Sequence, residues 1–174
     1  MVADAVNTPE VTDALASAWR IHDAHLAWTS QVDSKASFVL AIETAIAAGV
    51  VALAGNGRRL SDLPSGWPTA YFVVGCASLV LALISVSLVV RPRLRIPHLE
   101  EEARTNFIFF GHARRWKPDE LAAALRTADM VEMVSRQVVA MATVAWRKHR
   151  YLQVSLTLAI AGTALIGVAA AMNG

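Results

Sequence analysis

Three runs of apolar residues set the plan of this chain. The first occupies 36–54, is broken only by Ser37, Glu43 and Thr44, and follows a polar stretch with helical spacing over 18–34. The second covers 70–90 and the third 152–172. Each is close to the ~20 residues that carry an α-helix across a ~30 Å hydrocarbon core. No alternating apolar and polar stretch of the kind that makes a strand occurs between them. The pattern predicts an all-α membrane protein: three transmembrane helices, with long helices extending into a cytoplasmic helical lobe.

The intervening segments fill in that plan. Residues 1–9 read as a disordered tail, and Thr8-Pro9-Glu10 as a helix start with proline in the first turn. From there Val11, Ala14, Ala18, Ile21, His25, Trp28 and Val32 step by three and four, a heptad-like seam on a cytoplasmic helix over 10–35 that runs on into the first span. Asp13, Arg20, Asp23 and Gln31 mark its opposite face. The loop 55–69 is rich in turn residues (Asn56-Gly57, Pro64, Gly66, Pro68), too short for a domain, and joins spans one and two as an antiparallel hairpin. Small residues at Ala47, Ala48, Gly49, Ala52 and Gly55, and again at Ala161, Gly162 and Gly167, offer faces for close helix packing. Pro92 and Pro97 end the second span and force an extended crossing, after which Glu100, Glu101 and Glu102 open a short helix. A further helix restarts at Pro118-Asp119-Glu120. With no glycine or proline between Asp119 and Ala161, it is expected to run unbroken into the third span, burying Leu121, Leu125, Ala128, Val131, Ser135, Val138, Ala142 and Ala145.

Charge orients the plan. Of 16 Lys and Arg residues, twelve fall in 91–151, two in 1–35 and two in 55–69. The positive-inside rule therefore places the lobe 91–151 and the N-terminus in the cytoplasm, and the loop 55–69 and the C-terminus outside, in a multi-pass protein of the cell membrane. Arg91, Arg93 and Arg95 fit a juxtamembrane anchor to anionic headgroups of the lipid bilayer rather than a nucleic-acid surface. Trp67, Tyr71, Trp146 and Tyr151 stand where an interfacial aromatic belt is expected. The mean hydropathy of +0.44 is too apolar for an ordinary soluble domain. The polar start shows no cleavable signal pattern, so the first span is expected to act as its own insertion signal. The single cysteine, Cys76, excludes an internal disulfide framework and a cysteine metal cluster, and reads as a packing residue.

Candidate chemistry is sparse. Glu43 lies within the first span, where a carboxyl costs about 2.5 kcal/mol or more unless paired, protonated or hydrated. It is either a pore-lining or proton-sensing group, or a protonated acid bonded to Ser78, Ser85, Ser87 or Thr157 on another span. Asp33 and Lys35 flank the membrane entry and are placed to pair with the basic collar Arg147, Lys148, His149 and Arg150. The stretch Asn106-Phe107-Ile108-Phe109-Phe110-Gly111-His112 sets four large apolar residues in a row outside any span, flanked by Arg104, Arg114 and Arg115. It reads as lobe core or a membrane-surface wedge, or as a ligand pocket. In the pocket reading, rings stack on a base, Gly111 admits close approach, and the arginines attract a phosphate. His22 and His25 are three apart on one helix with no third ligand nearby, so no metal site is expected. Neither a phosphate loop nor a nucleophile–base arrangement is present, and the expectation is a protein that is not an enzyme and needs no cofactor.

Asp33-Ser34-Lys35-Ala36-Ser37-Phe38 resembles an Asp-x-Lys-Ala-x-Phe signature. With the Asn106–His112 block, Gln137-Val138 and the basic residues before Tyr151, in this order and on this span layout, the chain resembles the Pycsar effector family over roughly 22–156. The resemblance implies a small membrane effector of bacterial anti-phage defence. A partner cyclase would make cyclic CMP or cyclic UMP as the regulatory ligand, and the effector would then impair the inner membrane and cause abortive infection. Three spans are too few to enclose a pore, so a pore-forming homo-oligomer is expected. The alternatives are a membrane scaffold whose cytoplasmic helices dock a soluble partner, and a small ion channel or transporter using Glu43.

Overall fold

The structure, a computed structural model, describes residues 9–55, 57–58, 60–91 and 106–173. Among them the chain forms five helices and no strand: α1 (Pro9–Leu53), α2 (Trp67–Val90), α3 (Phe110–Ala113), α4 (Pro118–Thr127) and α5 (Met130–Ala171). Helices α1, α2 and α5 are each long and apolar enough to cross a membrane. The expected tail before Pro9, Pro92, Arg93, Arg95, Pro97, the helix opened by Glu100–Glu102, and Arg104 lie outside the described residues.

Two compact units divide the chain. The spanning unit, Ser30–Arg91 with Arg147–Gly174, packs the later parts of α1 and α5 around α2. At one end Val32 and Ala36 of α1 meet Val86 and Val89 of α2 and Leu152 of α5; farther along, Ile46 and Val50 share a cluster with Leu79, Ala82, Ala159 and Ile166. Residue numbers rise together along α1 and α5 and fall along α2, so α1 and α5 run parallel and α2 runs against both. The α1–α2 hairpin is closed by Gly57 and Gly66, both at positive φ, and by Leu60, which is buried and returns its N–H to the Leu53 carbonyl at 3.0 Å.

One close approach in this unit is backbone on backbone. A Cβ added at Gly75 of α2 would sit 2.8 Å from the Gly162 carbonyl oxygen of α5, and one at Gly162 would sit 2.8 Å from the Gly75 oxygen. Glycine is required at both. Gly162 was legible as a packing glycine and Gly75 was not, while Gly49 and Gly167 have open space beside them, so their small size serves no contact among the described residues. Cys76 packs half-buried against the second cluster, as its size suggests.

The second compact unit, Met1–Thr29 with Pro92–Trp146, is centred on Phe107, His112, Met133 and Val134, all buried. The expected unbroken helix from Asp119 is interrupted here. Ala128 is extended (φ −74°, ψ 144°), and Asp129 Oδ1 accepts the Glu132 N–H at 3.0 Å, capping α5 three residues ahead. Asp129-Met130-Val131-Glu132 has the spacing of a capping box, a start signal that needs neither glycine nor proline. Glu132 also pairs with Arg136 one turn on.

The long helices share one more feature. A run of less exposed positions follows α1 at 11, 15, 18, 22, 25, 29, 32, 36, 39, 43, 46 and 50, and α5 at 131, 134, 138, 141, 145, 148, 152, 155, 159, 162, 166 and 169, with further ones such as 33, 40, 133 and 151 beside it. Both alternate steps of four and three, the 3.5-residue repeat of a coiled-coil seam. The expected seam was correct at every seventh residue and one off between: Ile21 and Trp28 are exposed where His22 and Thr29 turn inward, and Ser135 and Ala142 yield to Val134 and Met141. Leu125, expected inside, is half exposed.

Candidate functional site

Two places answer the sequence-level candidates. The first is the aromatic block. Asn106 Oδ1 accepts the Ile108 N–H at 3.0 Å, a local turn that commits its side chain to the backbone. The turn delivers Phe107 inward, edge-on to Trp116 with ring centroids 5.8 Å apart. Phe109 adopts an extended backbone and starts α3; its ring lies against Phe110 at 4.5 Å and edge-on to His112 at 5.3 Å. Gly111 is glycine because a Cβ there would run into the Phe109 ring. The close approach that the sequence suggested for a ligand is made by the chain itself. Gly111 and His112 are buried, whereas Arg114 and Arg115 are exposed and Phe110 is 67% exposed, its ring open on the surface. Of the seven candidates, six are brought onto one short stretch of turn and helix; Arg104 is outside the described residues.

The same unit holds the histidine pair that the sequence set aside as a metal site, and Trp116, which it did not single out. His22 Nδ1, His25 Nδ1 and Trp116 Nε1 are buried with no hydrogen-bond partner. His22 stacks edge-on with Trp19 and His25 tilts against Trp28, each at 5.4 Å, so the rings are held; His22 Nδ1 lies 3.7 Å from Asp23 Oδ1, too long for a hydrogen bond. A buried ring nitrogen without a partner costs roughly 1–3 kcal/mol. The signal available in sequence was the seam itself: in the 3.5-residue register, positions 22 and 25 both face inward. Among the described residues no group of three His, Cys, Asp or Glu side chains converges as a metal site would need.

The second place is inside the spanning unit. Asp33 meets Lys148 Nζ with both carboxylate oxygens, at 2.6 and 2.7 Å, tying the entry of α1 to that of α5. One turn along α5 Tyr151 packs against the cluster of Val32 and Ala36, so Asp33, Ala36, Lys148 and Tyr151 act as one packing face. Farther along, Glu43 is 2% exposed. Its partner is Ser155 of α5, at 2.6 Å from Oε1, not Ser78, Ser85, Ser87 or Thr157. Ser78 and Thr157 bond their own helix carbonyls instead. Ser155 Oγ also stands 2.9 Å from the Ala82 carbonyl oxygen of α2. Beside Glu43 a groove of about 470 Å³ opens between α1 and α5, walled by Val39, Ile42, Ile46, Leu156 and Ile160 with no second charged residue. Ile42 and Ile160 are largely exposed, which puts the groove on the outer surface of the spanning unit.

No curated protein and no solved structure shows a match to the chain. A family model for the Pycsar effector protein domain matches residues 17–173. That stretch takes in the seam of α1 from Ala18, the Asp33–Lys148 tie, the Glu43 site and the aromatic block. The chain belongs to the Pycsar effector family, the membrane effectors of an anti-phage defence.

Proposed function

We propose that a cyclic pyrimidine nucleotide, cyclic CMP or cyclic UMP made by a partner cyclase, activates this chain to impair the inner membrane and stop the infected cell. The observation that carries the reading is the family match, which covers nearly all of the described chain. The effector is not an enzyme in this reading: the nucleotide is a signal that binds the active state better than the resting one. Near-complete switching needs about 5 kcal/mol of such preference, which several ligands on a homo-oligomer supply jointly.

The nucleotide binds the unit that contains the aromatic block. Phe110 offers a ring face to the base, His112 and Asn106 frame the turn beneath it, and the exposed Arg114 and Arg115 attract the cyclic phosphate. This unit faces the cytoplasm, as its basic residues require, with the loop 55–69 and the C-terminus outside. The buried nitrogens of His25 and Trp116, which have no hydrogen-bond partner, support a ligand-binding role for the unit, because such ring donors and acceptors suit the polar edge of a pyrimidine. The test is direct. Full-length protein in proteoliposomes with a potential-sensitive dye is given cyclic CMP, cyclic UMP or cyclic AMP. A pyrimidine-dependent collapse of potential is expected; an unaltered potential with protein shown to be inserted rejects the proposal.

A further inference from the structure

The contacts at Ser155 bear on the protonation of Glu43. Ser155 Oγ lies 2.6 Å from Glu43 Oε1 and 2.9 Å from the Ala82 carbonyl oxygen, both within hydrogen-bond range. A hydroxyl carries one proton and the Ala82 carbonyl has none to give, so Ser155 either shares its proton between the two oxygens or gives it to Ala82 and accepts one from the Glu43 carboxyl. Only the second arrangement makes two full hydrogen bonds. The surroundings agree. Glu43 Oε2 is buried without a partner, tolerable for the carbonyl oxygen of a neutral acid and costly for half of an anion. The groove beside it supplies no cation.

We infer that Glu43 is a carboxylic acid, and that the chain Glu43–Ser155–Ala82 is the latch holding the three spans in the resting arrangement. It is the one buried polar link among the described hydrogen bonds that touches α1, α2 and α5 at a single atom. Both side chains lie in the seams of their helices, so the spans cannot separate at this level without breaking both bonds. The acid is a statement about the structure alone; its role as a latch rests on the effector reading above.

Two measurements separate these parts. Infrared spectroscopy of the full-length protein in lipid without nucleotide should show the carbonyl stretch of a protonated carboxylic acid, absent from Glu43→Gln. No such band means that Glu43 is not a protonated acid. In the dye assay, Ser155→Ala and Glu43→Leu should lower the cyclic CMP or cyclic UMP needed for half-collapse by roughly threefold to tenfold per chain, or leak without nucleotide, and Ser155→Thr should return the threshold toward wild type. If Ser155→Ala does not accumulate, Ser155→Cys is read in its place. Unshifted thresholds in inserted variants reject the latch while leaving the acid standing. A wild-type protein that shows the acid band but no response to nucleotide rejects the effector reading instead.

Discussion

The two units of this chain differ in how they treat most of their less exposed polar groups. In the spanning unit these are joined across helices: Asp33 to Lys148, Glu43 Oε1 to Ser155, Ser155 to Ala82, with Glu43 Oε2 the exception. In the other unit the rings of His22, His25 and Trp116 sit in aromatic contacts; His22 Nδ1 has only Asp23 at 3.7 Å, and His25 Nδ1 and Trp116 Nε1 have no hydrogen-bond partner. Lipid gives a polar group no second chance at a partner, so a spanning helix has to satisfy its groups internally. A unit outside the lipid, where the proposed function puts this one, is under no such demand, and unused donors and acceptors there are a resource for recognition. In that proposal the contrast separates a part that stays shut from a part that receives the nucleotide.

The strongest way to break the comparison is at the glycine contact. Gly75→Leu or Gly162→Leu forces a side chain into a backbone 2.8 Å from where its Cβ would stand, and should cost more than the ~1–3 kcal/mol typical of overpacking. Most of the protein should then be lost to proteolysis or aggregate in detergent. Gly49→Ala and Gly167→Ala, which meet open space, should melt within about 0.5 kcal/mol of wild type. If all four behave alike, the close crossing of α2 and α5 is wrong.

Next comes the Asp33–Lys148 tie. Lys148 is 21% exposed and Asp33 42%, so solvent screens the pair and its loss should cost on the order of 1 kcal/mol. Asp33→Ala leaves the better buried partner unpaired and should melt lower than Lys148→Ala. A double-mutant cycle with the thermal midpoint as readout should give a coupling of the same order, and zero coupling would mean that the pair does not form in lipid.

A smaller effect is expected at the start of α5. Asp129→Ala removes the cap on the Glu132 N–H and should lower stability by about 1 kcal/mol, with Asp129→Asn near wild type, as read by thermal denaturation. The least effect on stability, and the sharpest on the contrast, belongs to the ring nitrogens. His25→Phe replaces a buried atom without partners by carbon, so the melting point should hold or rise slightly. If the nitrogen is kept for a ligand, the same variant should need more cyclic nucleotide for the same depolarisation. An unmoved dose curve would remove His25 from the recognition surface.

How much of this was open to the sequence follows from what hydropathy encodes. Spans are long apolar runs, and all three were located. The seam was half legible. Its seven-residue period was right, but between repeats the choice of a three- or four-residue step went to the large apolar Ile21 and Trp28, whereas the fold turns His22 and Thr29 inward. Apolar size is a poor guide on a helix whose exposed face is itself apolar. The Ser155 bond was missed for a related reason: depth along two parallel helices has to be measured from a shared origin. Asp33–Lys148 supplies one. Glu43 lies about 15 Å beyond Asp33 and Ser155 about 10 Å beyond Lys148 at 1.5 Å per residue, within reach of a glutamate side chain. The aromatic block stood out at once, but that Gly111 is demanded by the Phe109 ring is a matter of rotamer, which spacing does not carry.

The paired glycines also decide how the spanning helices can move. Turning α2 or α5 about its own axis by one residue, about 100°, would swing Val74, Cys76, Ala161 or Thr163 into the place a hydrogen atom now fills. Rolling is therefore blocked in both directions, like a key that fits its slot at one angle. What is left is tilting about that crossing or drawing the two rods apart, and any breach this protein makes in a bilayer has to begin with one of those.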